Sequence, residues 1–162
     1  MDVIGPIELA ASNSHRFIVV SIEYFTKWVK ATSHKSVTKK VFKITHRNWT
    51  AYRPQMNGVV EAAKTNIKRI LRKMTDNHKG WHEQLPYALL GYRTMARTSI
   101  GATPYLLVYE TEAVIPAEVE IPSLRIIQEA ELDNAEWVQA RYEQLALIDE
   151  KRMVAVCHDQ LY

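Results

Sequence analysis

The chain has 162 residues, 47% of them hydrophobic, with one cysteine and a formal net charge of +3. That is the size of one ordinary domain with enough apolar residues to build a core, and a lone Cys157 excludes an internal disulfide framework or a cysteine-pair zinc module within this chain. No stretch is long and apolar enough to span a bilayer and the opening MDVIGPIELAASNSHR lacks the pattern of a signal peptide, so a reducing, intracellular setting is expected.

In chain order, residues 3–9 and 17–22 read as short strands, and ASNSHR at 11–16 supplies the turn that makes them an antiparallel pair. Residues 28–32 offer a third strand. Ser36 is an N-cap for VTKKVF, a helix cut short before two turns, and KITHRN at 43–48 is again strand-like. Asn57-Gly58 signals a turn, and the apolar spacing after it is helical. At about 100° per residue, Val60, Ala63, Ile67, Ile70, Leu71 and Met74 share one face. Glu61, Lys64, Thr65, Lys68 and Arg72 share the other, with Arg69 at its edge. A second helix starts near Trp81, with Leu85, Ala88, Leu89 and Tyr92 at core spacing, and RTSIGATP at 97–104 ends it. Residues 109–124 are rich in Pro and Glu and read as a linker between a domain at 1–108 and a region at 125–162. In that region a long amphipathic helix starts after Asp133, its N-cap. Strands followed by helices give a mixed α/β or α+β domain.

Charge is distributed unevenly. Between Tyr24 and Thr75 there are 13 Lys or Arg and one acid, Glu61; between Glu110 and Glu150 there are 11 Asp or Glu and two bases, Arg125 and Arg141. The first stretch has the electrostatic footprint of a polyanion binder. Taken alone, Glu61 is explained by its place near a helix start, where the helix dipole favours a negative charge. Trp28, Tyr52 and Trp81 are each either base-stacking platforms or core residues. His78 and His82 have a spacing found in helical metal sites, but Gly80 between them and the lack of a further nearby ligand favour a surface turn.

Five blocks, MDVIGPI, VVSIEYFTKWVKA, HRNWTAYRPQMNGVVEAA, WHEQLPYALLGYRT and GATPYLLVY, resemble in content and order the integrase catalytic core of gypsy-type LTR retrotransposons, in its plant-like version. The resemblance runs over nearly the whole chain. It implies an RNase H-like α/β fold, a mixed sheet flanked by helices, followed here by a C-terminal helix. It also implies DNA as partner, a nuclear location, possible homo-oligomers and no membrane. Integrases of this kind use three carboxylates to hold two Mg²⁺ or Mn²⁺ ions, which take oxygen ligands and clamp the attacking and leaving oxygens of a phosphodiester displacement. Asp2 matches the first carboxylate and Glu61 the third, so the resemblance makes both of them metal ligands and catalytic residues. Tyr52, Arg53, Gln55 and Asn57 match a loop that faces DNA in relatives, with ordinary turn chemistry as the alternative. Lys64, Lys68, Arg69, Arg72 and Lys73 would then hold phosphates, giving affinity without reading sequence.

The second aspartate is missing. No Asp lies between Asp2 and Glu61, and no Gly between Gly5 and Gly58. Asp76 follows Glu61 at a helix end, and Glu23 sits where relatives carry a non-catalytic acid, so neither is a good replacement. A central segment of the sheet is therefore expected to be deleted near residues 41–43, which leaves the first strand without its parallel neighbour; KITHRN is a candidate to fill that edge. With two carboxylates, weak or no metal binding and no strand transfer are expected. Further departures are Lys64 where relatives have Asn, Trp49 where they have a small polar residue, and Glu110 where they often have Gly. If that last position has φ > 0, Glu there costs on the order of 1 kcal/mol. The alternatives are a non-catalytic nucleic-acid-binding remnant and a pseudogene product that does not fold stably. A cellular ribonuclease H fits less well, because the YRPQMNG block belongs to integrases.

Overall fold

The computed structural model describes residues 1–8, 10–38, 54–75, 80–115, 117–118, 121 and 123–161, with the backbone alone at 54–57 and 159–161. It divides into two compact units, Met1–Tyr92 and Arg93–Tyr162.

In the first unit, β1 (Asp2–Ile4), β2 (Phe17–Ile22) and β3 (Val29–His34) form an antiparallel meander in the order β1-β2-β3. Asp2 pairs with Val20 and Ile4 with Ile18, while Val20 pairs with Ala31 and Ile22 with Val29. Directly opposed residues share a sheet face, so Asp2 stands at the end of the row formed by Ile4, Ile18, Val20 and Val29, all buried. The turn expected at 11–16 is present, closed by hydrogen bonds from Ala11 N–H to the His15 carbonyl and from Ser14 N–H to the Ala11 carbonyl.

β1 is shorter than predicted because Gly5-Pro6 interrupts it. Pro6 has no N–H to donate, and Gly5 has φ +136°, with space for a Cβ filled by the Arg16 carbonyl and the Phe17 ring, each 2.7 Å away. Pairing resumes where Ile7 N–H reaches the Arg16 carbonyl at 2.8 Å. The expected sheet was mixed; among the described residues every strand pairing is antiparallel, and β1 has β2 as its neighbour. The strand expected at KITHRN and most of the helix expected after Ser36 lie outside the described residues, and residues 36–38 are not helical.

Helix α1 (Pro54–Thr75) begins earlier than predicted and runs straight through Asn57-Gly58, which is therefore not a turn. A proline is pre-set for the first helical position. The roughly 1 kcal/mol cost of one interior glycine is small against the apolar face that the 22-residue helix buries. That face is the one its spacing gives: Ala63, Ile67 and Leu71 are buried and Ile70 is partly buried, whereas Met74, at the end, is exposed. Helix α2 (Trp81–Arg93) buries Trp81, Leu85, Ala88, Leu89 and Tyr92 against the same core.

The second unit opens with a tight turn in which Arg97 pairs with Ala102 and Gly101 takes φ +64°, a conformation glycine adopts without strain. Helix α3 (Pro104–Tyr109) starts on Thr103, whose hydroxyl accepts the Leu106 N–H at 3.1 Å. The segment read as a linker, 109–124, falls inside this unit and leads to α4 (Leu124–Glu131). The predicted N-cap at Asp133 is a full capping box with Glu136. The single helix expected after it is α5 (Asn134–Ala146) and α6 (Ile148–Leu161), separated by Leu147. Hydrogen bonds from Leu147 N–H to the Glu143 carbonyl and from Lys151 N–H to the Leu147 carbonyl carry the backbone across that residue. Among the described residues, no helix is long and apolar enough to cross a membrane.

The apolar core here is small, built on Ile100, Leu107 and Ala155, and charged contacts supplement it. Arg152 donates to the Leu107 carbonyl through Nε and Nη2 and pairs with Glu110 at 2.9 Å, while Arg141 donates to the Glu110 carbonyl at 2.9 Å. Glu110 caps α3 with φ +62°, so the left-handed backbone considered from sequence for this position is present. Two opposed effects meet at this position. Glu110→Ala keeps the strained backbone and loses the ion pair, and is expected to lower the unfolding free energy by about 1 kcal/mol. Glu110→Gly loses the same pair but relieves about as much strain, so its stability should stay near that of the parent. A glycine variant less stable than the alanine variant in urea unfolding would contradict this assignment.

Candidate functional site

Asp2 ends the buried row of the sheet, and α1 packs across β1 and β2. Glu61 and Lys64 are three apart on α1, hence neighbours on one helix face. The packing links Asp2 and Glu61, the two carboxylates singled out from sequence, through a third side chain. Lys64 Nζ donates to Asp2 Oδ2 at 2.9 Å and to Glu61 Oε1 at 3.4 Å. Asp2 Oδ1 accepts the Val3 N–H at 2.7 Å. The Lys64 side chain is the most enclosed of the three at 21% exposure, against 34% for Asp2 and 66% for Glu61. Burial is the largest influence on the Asp2 carboxyl and works against its charge, yet the hydrogen bonds from Lys64 and Val3 and the attraction of the ammonium together hold it below the usual aspartate value. The hydrogen bond to Asp2 is the main cause that raises Lys64 above the ordinary lysine value, against partial burial.

A hard divalent cation takes a shell of oxygens, and a pair of them needs several carboxylates to offset their mutual repulsion. Among the described residues no three His, Cys, Asp or Glu side chains cluster in a way that could hold a metal. Two carboxylates whose oxygens already share an ammonium do not fit a two-cation centre. Nor does Glu23 extend the set. Its carboxylate accepts from Phe25 N–H, Thr26 N–H and the Thr26 hydroxyl at 3.1, 2.7 and 2.6 Å, closing the turn between β2 and β3. Asp76 lies outside the described residues.

Asp2 and Glu23 both have carboxyls lowered from their ordinary values of 3.8 and 4.5. For Glu23, burial opposes the shift and the Thr26 and Phe25 hydrogen bonds outweigh it. A group that holds its proton less tightly when folded stabilises the fold above its unfolded pKa and loses that contribution as pH falls through its folded one. The contribution of these two carboxyls to the unfolding free energy is therefore expected to be fully present near pH 6 and to decline below about pH 4.5. Glu23→Gln should shrink the decline, as read from urea unfolding across pH; an unchanged acid limb would show that the turn hydrogen bonds contribute nothing.

Beyond Lys64 the outer face of α1 is basic. Lys68, Arg69, Arg72 and Lys73 are exposed and, with Thr65, line one shallow concavity. Arg69 Nη2 donates to Asn66 at 3.0 Å, and among the described residues no acid pairs with any of the four. Lys64, predicted as a fifth phosphate contact, is engaged by the two carboxylates instead of standing with them. Tyr52 and Arg53 lie outside the described residues; Gln55 and Asn57 fall within the first turns of α1, and their side chains are not described. Trp81 is buried, so its role is core packing, and Trp28 is half-buried. His82 belongs to no metal-binding cluster among the described residues, and His78 lies outside them.

The lysine bridge was not foreseen from sequence. Its signal was there, a lysine where the resembled family has asparagine, but only the register of Asp2 against α1 shows what the ammonium touches. No protein-family model matches the chain, and no curated protein matches it.

Proposed function

We propose that this chain is a retrotransposon-integrase-derived domain of RNase H-like ancestry that binds nucleic-acid phosphates and does not cut them. The observation that carries this reading is the row of Lys68, Arg69, Arg72 and Lys73 around one concavity with no acid among the described residues to neutralise it. Five sequence blocks in integrase order support the ancestry, and a three-stranded antiparallel meander followed by a helix across it is compatible with that fold. The absence of a second aspartate before Glu61, together with a carboxylate pair occupied by lysine, argues against phosphodiester chemistry. Cations of this kind meet the backbone and read no bases.

Fluorescence anisotropy with a labelled 20-base-pair duplex tests the reading. Four phosphate contacts give a slope of about −3.6 in log affinity against log salt, hence a loss of roughly a hundredfold between 50 and 200 mM. The same duplex incubated with Mg²⁺ or Mn²⁺ should remain intact. A salt-independent affinity would end the binding half of the proposal. Metal-dependent cleavage or joining that Glu61→Gln abolishes would end the other half.

A further inference from the structure

From the arrangement of Asp2, Glu61 and Lys64 we infer that the Lys64 ammonium is a built-in counter-ion that stands where a divalent cation would, so that the pair of carboxylates is kept from metal by one side chain. Both acids direct an oxygen to the same nitrogen, at 2.9 and 3.4 Å. The Lys64 side chain that carries Nζ is partly enclosed, at 21% exposure. A free cation approaching the two oxygens meets a positive charge already hydrogen-bonded to them, and must displace a group that its tether returns to the same place. The ammonium supplies charge balance and donors but accepts nothing and has no open coordination position. It can therefore hold β1 and α1 together without metal, and it cannot activate a water or polarise a phosphate as a metal does. The inference concerns a different part of α1 from the Lys68–Lys73 row and stands or falls apart from phosphate binding.

Mn²⁺ titration followed by electron paramagnetic resonance of the free ion, with circular dichroism as a check on folding, decides it. The parent chain should show no saturable site at millimolar Mn²⁺. Lys64→Asn, which removes the charge and offers an oxygen in its place, should gain one site at least tenfold tighter than any binding by the parent, and Glu61→Gln in that background should abolish it. Lys64→Asn binding no more Mn²⁺ than the parent would overturn the inference. Should Lys64→Asn fail to fold, Lys64→Gln takes its place with the same expected gain and the same overturning result, and saturable Mn²⁺ binding by the parent that Glu61→Gln removes would likewise overturn the inference.

Discussion

Truncating Ile67 to alanine is expected to lower the unfolding free energy by about 3 kcal/mol, within the range for emptying a filled core site. Ile67 has no exposed surface and sits between Ala63 and Leu71 on the buried face of α1. Its surroundings are drawn from every layer of the first unit, with Ile4, Ile18, Val20 and Val29 from the sheet and Leu85, Ala88 and Leu89 from α2 in the same cluster. Neighbours fixed in a sheet and in a second helix relax little into a void, so the lost transfer energy and the cavity both count. Met74→Ala makes the internal comparison. Met74 lies on the same predicted stripe but is 40% exposed, and its loss should move stability by no more than about 0.5 kcal/mol. Urea unfolding of both variants beside the parent reads the contrast. A cooperative transition in the parent also bears on whether the chain folds at all; equal, small effects of the two substitutions would mean that α1 does not pack as described.

The elements that were legible in the sequence are those whose pattern is local. β2 carries the β-branched run Ile18-Val19-Val20 beside Phe17, after the turn signal at 11–16, and it runs over the predicted residues. The apolar faces of α1 and α2 follow from period alone, and Asp133 announces its capping box through Glu136 three residues on. What failed depended on competition between signals. Asn57-Gly58 is a turn pair in isolation, but a helix that starts at Pro54 and buries Ala63, Ile67 and Leu71 overrides it. Gly5-Pro6 was read as the interior of a strand, although the missing N–H and the close approach of Arg16 and Phe17 end it after Ile4. α3 is only six residues long, too short for periodicity to reveal, and shows itself by Thr103-Pro104 at its start. At the site, the sequence named Asp2, Glu61 and the basic row. It could not show that Lys64 leaves that row, because this depends on the register that sets Asp2 opposite Val20 and beside α1.

Replacing Lys68, Arg69, Arg72 and Lys73 together by alanine is expected to weaken duplex binding by at least about a hundredfold at 50 mM salt and to bring the salt slope from about −3.6 towards zero. The four side chains are exposed and point away from the core face, and alanine is the strongest helix former, so the helix and its buried stripe should survive. Unchanged circular dichroism and an unchanged urea midpoint are part of the expected result. Phosphate contacts position a protein without reading bases, so the loss should be the same for duplexes of unrelated sequence. Single substitutions should each remove about 0.9 from the slope and act nearly independently, since a screened charge at the surface couples weakly to its neighbours. Lys64→Asn supplies the contrasting case, because the ammonium it removes is already neutralised by Asp2 and Glu61 and releases no counter-ion from DNA when the duplex binds. Its salt slope should match that of the parent. If the slope instead falls by a full unit with Lys64→Asn and stays put with the fourfold variant, the phosphates lie over the carboxylate pair and not over the basic row, and the placement of the interface on α1 has to be redrawn around Asp2.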